Sequence, residues 1–181
     1  CGNLLIPASE GLLFTLNGDG ESYAVNGMGT CTDTNLVIPA EYNGKPVTRI
    51  ADYAFSNRNT LTSVEIPSSI KSIGYYAFEY CYKLVEVYNK SSLNITKGSS
   101  SNGLIEYYAL NVYTPTDGAK KTFETNDGFI FYEDGDTCYL LGYKGDKTDI
   151  TLPESCNGKN YAIYKYAFYN KGNLTSVIVP D

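Results

Sequence analysis

Residues 66–87, IPSSIKSIGYYAFEYCYKLVEV, hold the pattern from which the fold is predicted. The centre of this stretch, I-x-x-Y-A-F, occurs four times, with Leu in place of Phe in one copy. The copies lie at residues 50–55, 73–78, 105–110 and 163–168. Self-similarity at a short interval is typical of a repeat protein, in which every copy takes an equivalent place in the structure.

A second motif, L-x-x-V-x-[IV]-P, follows two of these copies, at residues 61–67 and 174–180. Its alternation of apolar and polar residues predicts a short strand, with Leu61, Val64 and Ile66 inward and Ser63 and Glu65 outward. Shorter versions end at Pro39 and Pro153. Because each copy buries its apolar residues against its neighbours, stacked copies predict a parallel sheet along one face.

The I-x-x-Y-A-F segments are expected to form the opposite wall, with Ile73, Ala77 and Phe78 in the core. Phe55 and Phe78 are 23 residues apart (78 − 55), a period within the leucine-rich-repeat range. Four tyrosines share one place in the motif, and we expect a ladder in which each ring packs on its neighbour and each hydroxyl faces water. They are Tyr53, Tyr76, Tyr108 and Tyr166.

A longer period lies over the short one. Residues 11–18, GLLFTLNG, resemble residues 128–135, GFIFYEDG, at an offset of 117 residues (131 − 14). Turn residues at 17–20 and 134–136 predict β-hairpins, so a unit of hairpin plus repeats is expected twice. The predicted regions are an N-terminal hairpin or cap at 1–33, repeats at 34–112 with a polar insertion at 88–104, a connector and second hairpin at 113–147, and a truncated repeat at 148–181.

These motifs resemble the BspA-type leucine-rich repeats of bacterial and some protist surface proteins. The resemblance covers about residues 34–110 and 148–180, and departs from the consensus at Arg58, Lys171 and Asn89. It implies a β-rich solenoid, a right-handed leucine-rich-repeat superhelix with a parallel concave sheet, interrupted by hairpins. It also implies a secreted or surface-anchored protein that takes part in adhesion or host interaction.

Composition narrows the function classes. The 181 residues carry a net charge of −6, whereas nucleic-acid binding depends on a basic face. No residue is His, which excludes imidazole-assisted nucleophiles and His-ligated zinc. No stretch approaches the roughly 20 apolar residues of a membrane span.

The five cysteines are an odd number without C-x-x-C spacing. They predict buried or isolated thiols rather than a disulfide framework or a zinc site, with Cys81 as a core thiol. Cys1 is interpreted as the point where this stretch of a longer chain begins. The alternative is a lipid-acceptor cysteine.

Nothing in the sequence predicts catalysis, a cofactor or a metal. Phosphate loops and G-x-G-x-x-G are absent. The acidic hairpin turns lack the spacing of a calcium loop, although calcium is an alternative there. Glu65 and Glu86 are expected on adjacent strands, where a glycosidase pair is the alternative and a solvated face is preferred.

The favoured function is therefore a non-enzymatic, adhesin-like protein-binding module at the cell surface or secreted. Its partner is expected to be an extracellular or host protein, and exposed Val37, Tyr88 and Ile178 are candidate anchors. The candidate partner-binding residues lie on outward strand positions: Val37, Ser63, Glu65, Glu86, Tyr88, Thr151 and Ile178. The alternatives are a spacer or targeting fragment of a larger surface protein, and a carbohydrate-binding module that uses exposed tyrosines. The apolar end of the solenoid also predicts self-association.

Overall fold

The computed structural model describes residues 7–114 and 121–180. The chain divides into two compact units, Cys1–Gly118 and Ala119–Asp181. Within the described residues the only helical element is one short 3₁₀ turn at Asn102–Leu104, and none is long and apolar enough to cross a membrane. The strands of the first unit are β1 (Leu13–Leu16), β2 (Tyr23–Gly27), β3 (Asn35–Val37), β4 (Glu41–Tyr42), β5 (Lys45–Ile50), β6 (Ser63–Ile66), β7 (Ser72–Ile73), β8 (Glu86–Asn89) and β9 (Asn111–Tyr113). Those of the second are β10 (Thr122–Glu124), β11 (Phe129–Asp134), β12 (Thr137–Tyr143), β13 (Asp149–Thr151), β14 (Ala162–Ile163) and β15 (Ser176–Ile178).

The predicted parallel sheet is present in the first unit, in the order β3-β6-β8-β9. Its strands are in register, so that Leu36, Val64, Val87 and Val112 form one row. The first three of these side chains are buried. The L-x-x-V-x-I motif therefore builds successive rungs of a solenoid, as its alternation predicted.

The opposite wall consists of the I-x-x-Y-A-F turns. Ile50 pairs with Ile73 where β5 and β7 run parallel, and the Phe55 N–H donates to the Ala77 carbonyl at 2.8 Å. Phe55 and Phe78 are both fully buried. Gly74 is required where the two turns approach, because a Cβ there would lie 2.2 Å from Asp52 Oδ1 and 2.5 Å from the Asp52 backbone nitrogen.

The third rung is longer than the second. Glu86 pairs with Asn111, a step of 25 residues (111 − 86) against 23 between Ser63 and Glu86. Residues 88–104, predicted as an enlarged loop within a degenerate repeat, include the end of β8 and most of the segment that joins it to β9. They supply the turn of the third rung itself, with two extra residues.

The hydrogen bonds also show which residues take the Tyr-Ala place in this rung. Phe78 N–H donates to the Gly103 carbonyl, as Phe55 does to Ala77, so Gly103 occupies the place of Ala77. The prediction that Tyr108 continues the ladder is wrong, because Tyr108 lies three residues before β9, as Lys83 does before β8. The backbone conformation at this place is compatible with Asn102. Tyr76 has φ 49° and its counterpart Asn102 has φ 42°, and Asn adopts this left-handed conformation more readily than most residues.

Both predicted hairpins are confirmed, and their strands pair in the same way, although the connection after Leu16 is two residues longer than the one after Glu133. Phe14 pairs with Val25 after a register shift, and Phe131 pairs with Leu140 after a shift at the same place. The second strand of each hairpin then runs parallel to the strand before the Y-A-F turn. The long-period duplication read from the sequence is therefore real.

One pair of positions differs between the units, and it corrects the cysteine prediction. Cys138 and Cys156 form a disulfide whose Cα atoms are 6.6 Å apart. The equivalent residues of the first unit are Tyr23 and Tyr42, whose rings meet edge to face at 5.1 Å. Cys81 is a buried thiol as predicted, and burial raises its pKa to about 12. Cys1 lies outside the described residues.

The second unit ends in the two-stranded parallel pair β13-β15. Ile163 occupies the place of Ile50 but is 47% exposed, whereas Ile50 is 0% exposed. Among the described residues of this unit no further rung covers it. Apolar positions that are interior in the first unit are accordingly open here.

Candidate partner-binding surfaces

The outward face of the first unit's sheet carries most of the predicted site residues. The register brings Val37, Glu65 and Tyr88 side by side in one row. Ser63 and Glu86 stand opposite each other in the adjacent row. Glu65 therefore faces Tyr88 rather than Glu86, and the two carboxylates stand on a diagonal instead of forming a direct cross-strand pair.

Burial contradicts the expected exposure of three of these residues. Val37, Ser63 and Glu86 are all buried. The Tyr88 and Tyr113 hydroxyls each donate to Glu86 Oε1 at 3.2 Å, and their rings stack at 4.7 Å. The prediction of a solvated Glu86 is wrong, because two aromatic side chains from its own and the next strand converge on the carboxylate.

Polar groups in the other row mainly hold neighbouring rungs together. The Ser63 and Thr62 hydroxyls donate to Asn35 Oδ1 at 2.9 and 3.1 Å. In the second unit, the Ser176 and Thr175 hydroxyls donate to Asp149 Oδ1, both at 2.8 Å. These hydrogen bonds, of which that from Ser176 has the largest effect, lower the pKa of Asp149 below its ordinary value.

Four predicted residues keep accessible side chains. Glu65 is half-buried and pairs with Lys90 at 2.5 Å, and Tyr88 is half-buried beside it. In the second unit, Thr151 stands opposite Ile178 on paired strands, and both are exposed. The accessible part of the predicted site is therefore smaller than the sequence indicated.

A more exposed aromatic surface lies on the Y-A-F turns of the first unit. This tyrosine surface consists of Tyr53, Tyr75 and Tyr76. Tyr53 and Tyr75 are 53% and 60% exposed, and the ring centroids lie 6.0 Å apart for Tyr53–Tyr75 and 5.9 Å apart for Tyr53–Tyr76. A hydrogen bond with Tyr76 raises the pKa of Tyr75 to about 12.

Sequence reasoning found this surface only in part. The ladder contact between Tyr53 and Tyr76 is confirmed, but Tyr75 was missed although it is the most exposed of the three. The available signal was the Tyr-Tyr doublet at 75–76, which places one ring beyond the ladder position.

Acidic groups in the described residues do not converge on a metal position. Across residues 7–114 and 121–180, no three acidic or cysteine side chains form such a group. At the first hairpin tip, Asp19 accepts the Glu21 and Ser22 N–H groups at 2.9 and 3.0 Å and the Ser22 hydroxyl at 2.7 Å. These hydrogen bonds, of which that from the Ser22 hydroxyl has the largest effect, lower the pKa of Asp19. The Asp19 carboxylate thus stabilises the turn itself.

In each unit a lysine donates a hydrogen bond to a backbone carbonyl at the hairpin tip. Lys45 follows the left-handed Asn43-Gly44 turn and donates to the Gly20 carbonyl. Lys159 follows the equivalent Asn157-Gly158 turn and donates to the Gly135 carbonyl at 2.7 Å. The recurring Asn-Gly-Lys segments are structural turns, as predicted.

Comparison with known proteins agrees with the repeat geometry. Residues 29–109 match a family model described as BspA type leucine rich repeat region (6 copies). Residues 29–109 are therefore BspA-type leucine-rich repeats. No curated protein sequence matches it.

Several solved structures are similar to the chain. A leucine rich repeat protein of T. pallidum is 19% identical with a TM-score of 0.42, over 95% of this chain and 70% of that one. One from Bacteroides ovatus is 21% identical with a TM-score of 0.44, over 99% of this chain and 42% of that one. A leucine rich cell surface protein of Faecalibacterium prausnitzii is 15% identical with a TM-score of 0.42, over 98% and 77%.

Proposed function

We propose that this chain is a non-enzymatic, adhesin-like module that binds an extracellular or host protein at the cell surface or in secreted form. The tyrosine surface is the observation that carries the proposal. Tyrosine is enriched at the energetic centres of protein interfaces, because its ring offers large contact area and loses little conformational freedom on binding. Two such rings, Tyr53 and Tyr75, stand more than half exposed on adjacent turns.

The repeat architecture supports a protein partner. Stacked rungs present extended surfaces, which suit a macromolecule. On the strand face, Glu65 and Tyr88 are the proposed further contacts of the first unit, and Thr151 and Ile178 those of the second. Val37, Ser63 and Glu86 are buried, and their proposed contribution is to hold this face rather than to touch a partner.

The disulfide supports a location outside the cytosol. Cys138 and Cys156 are bonded in the structure, and disulfides persist in oxidising compartments and at cell surfaces. The match of residues 29–109 to BspA-type repeats supports the same location. Protease treatment of intact cells that removes this chain, while cytosolic markers stay intact, is the expected result. Protection from the protease would contradict a surface location.

The binding function is tested with immobilised extracellular-matrix proteins and the full chain in solution. The double variant Tyr53→Ala/Tyr75→Ala is expected to bind at least tenfold more weakly, since loss of each central ring typically costs more than about 1 kcal/mol. Tyr169→Ala is the matched control, because Tyr169 is an exposed tyrosine of the second unit. Unchanged binding by the double variant would contradict the tyrosine surface as the contact.

Exposed tyrosines also favour a second candidate, carbohydrate binding. The same variants are therefore applied to a glycan array. Glycan binding that disappears in Tyr53→Ala/Tyr75→Ala, without binding to any matrix protein, would replace the protein partner with a carbohydrate.

Self-association is proposed through the open end of the second unit. Ile163, Val177 and Val179 are exposed there, and an uncovered apolar strand edge favours pairing. Sedimentation velocity is expected to show concentration-dependent association that Val179→Lys weakens. A monomer at every concentration would contradict it.

A further inference from the structure

The sequence contains five Asn-Gly pairs, all of which lie within the described residues. Asn is a thermolabile residue. A glycine after it has no Cβ, so the glycine's backbone nitrogen can approach the Asn side chain closely. The Asn residues of the five pairs are Asn17, Asn26, Asn43, Asn102 and Asn157. The contacts of each side chain then determine which pair can react.

In four of the pairs the side-chain nitrogen of Asn, Nδ2, donates a hydrogen bond to another residue. The pairs of donor and acceptor are Asn17 to Ser22 and Thr48 at 2.8 and 3.2 Å, Asn26 to Thr15 at 2.9 Å, Asn102 to Asn94 at 3.0 Å, and Asn157 to Glu133 at 2.6 Å. The fifth side chain, that of Asn43, is exposed and makes no hydrogen bond to any residue that the structure describes. Its amide can therefore turn toward the backbone nitrogen of Gly44.

The two units supply a matched pair of turns for comparison. Asn43-Gly44 has φ 50° and 75°, and Asn157-Gly158 has φ 51° and 79°. A Cβ at either glycine would meet nothing within 4 Å, so both turns are open to solvent on that side. They differ on the neighbouring strand, where Leu16 takes the place that Glu133 has in the second unit. Because the Leu16 side chain has no acceptor, it cannot hold Asn43 as Glu133 holds Asn157.

We infer that Asn43 is a site of spontaneous deamidation, and that Glu133 protects the equivalent Asn157. The Gly44 nitrogen attacks Cγ of Asn43, so that an N–Cγ bond forms and the Cγ–Nδ2 bond breaks. Nδ2 leaves as ammonia with the proton that the Gly44 nitrogen releases. Water then opens the cyclic succinimide at one of its two carbonyls and leaves aspartate or isoaspartate at position 43.

The reaction alters a turn that positions an aromatic side chain. Tyr42 stacks on Phe14 with ring centroids 4.0 Å apart and meets Tyr23 edge to face at 5.1 Å. The pairing of Tyr42 with Lys45 across this hairpin depends on a two-residue turn. Isoaspartate adds one atom to the backbone of that turn. Chains with isoaspartate are therefore expected to lose this pairing and to expose Tyr42.

The experiment is incubation of the full chain at mildly alkaline pH, followed by digestion and peptide mass spectrometry, which separates amide from acid. Asn43 should convert at least about tenfold faster than Asn157, because a hydrogen bond to a charged acceptor is worth about that factor in rate. Equal rates, or faster conversion at Asn157, would overturn the inference. So would an intact Asn43 at a time when a free peptide of residues 40–47 has fully converted.

Two variants exchange the acceptor between the units. Leu16→Glu should slow the conversion of Asn43, and Glu133→Leu should accelerate that of Asn157 toward the wild-type rate at Asn43. Leu16→Ala is the matched control, because it changes the same side chain without supplying an acceptor. A folded Leu16→Glu chain in which Asn43 converts at the wild-type rate would also overturn the inference. If this variant does not fold, the comparison of Asn43 with Asn157 in the wild-type chain decides.

Discussion

Replacing Phe78 with Ala perturbs the core of the first unit where two turns stack. The Phe78 side chain is fully buried and packs on Phe55 with ring centroids 5.2 Å apart. Its backbone N–H reaches the turn of the third rung at Gly103. The ring is thus packed between rungs, so its removal leaves a cavity that both neighbours line.

The expected loss is about 3–5 kcal/mol in the free energy of unfolding, the range for truncation of a core aromatic to Ala. Transfer of the ring from the interior to water accounts for part of the loss and the residual cavity for the rest. The contact with Phe55 contributes about 0.5–1.5 kcal/mol beyond burial. A double-mutant cycle with Phe55→Ala should therefore show a coupling of at least about 0.5 kcal/mol.

The assay is equilibrium urea denaturation followed by far-UV circular dichroism. Hydrogen exchange of peptides from residues 50–90 assigns the transition that moves to the first unit. Tyr75→Ala is the control, because Tyr75 lies three residues earlier in the same turn and is 60% exposed. A loss below about 1 kcal/mol for Phe78→Ala would refute the stacked core, since no buried aromatic in a close-packed interior is replaced so easily.

Three further predictions concern the disulfide, a strained turn and a buried acid. The double variant Cys138→Ser/Cys156→Ser should lower the free energy of unfolding of the second unit by about 3 kcal/mol, because the disulfide closes a loop in the unfolded chain. The two cysteines are separated by 18 residues. An unchanged urea midpoint would contradict this prediction. Tyr80→Asn should raise the free energy of unfolding by about 1 kcal/mol, because a left-handed conformation costs bulky residues about 1–2 kcal/mol. Tyr80 has φ 58°, and its counterparts Asn57 and Asn170 have φ 61° and 57°. A lower Tm of this variant would contradict the prediction. The Glu106 side chain is fully buried, and its Oε2 accepts no hydrogen bond. Burial raises the pKa of Glu106 above its ordinary value of 4.5. The unfolded chain therefore loses this proton at a lower pH than the folded chain, so the free energy of unfolding should decline as pH rises from 4.5 through the folded-state pKa. Glu106→Gln should remove this decline and be more stable than the wild type at pH 7, and a difference that does not vary with pH would show that Glu106 does not titrate in this way.

Periodicity in the sequence predicts much of the fold because the inward positions of each rung are local. Leu61, Val64 and Ile66 alternate with polar residues along one strand, and Leu84 and Val87 repeat the first two of these positions after 23 residues. Since every rung must bury these side chains against the next, the parallel sheet and the second wall follow from the spacing. The matching hairpins follow in the same way from the 117-residue offset.

Exposure could not be predicted from that alternation. The alternation predicts only that a side chain points away from the core. Glu86 shows that tyrosines from its own strand and a neighbouring strand can nevertheless bury such a side chain. Tyr75 shows the opposite case, because the doublet with Tyr76 indicates a second ring on the turn but not that this ring is 60% exposed. The candidate surface therefore required the packed structure.

The sequence by itself determined the repeat, its period, the residues of the core and the duplication, since each is expressed in spacings along one chain. Only the tertiary structure decided which of two competing segments, at Gly103 or Ala109, takes the turn of the third rung, because hydrogen-bond register with the neighbouring rung makes that choice. It likewise decided that Cys138 meets Cys156 and that β10 pairs with β11. These are contacts between segments that are distant in the sequence. Their energies depend on which segments pack together in the folded chain rather than on any local pattern.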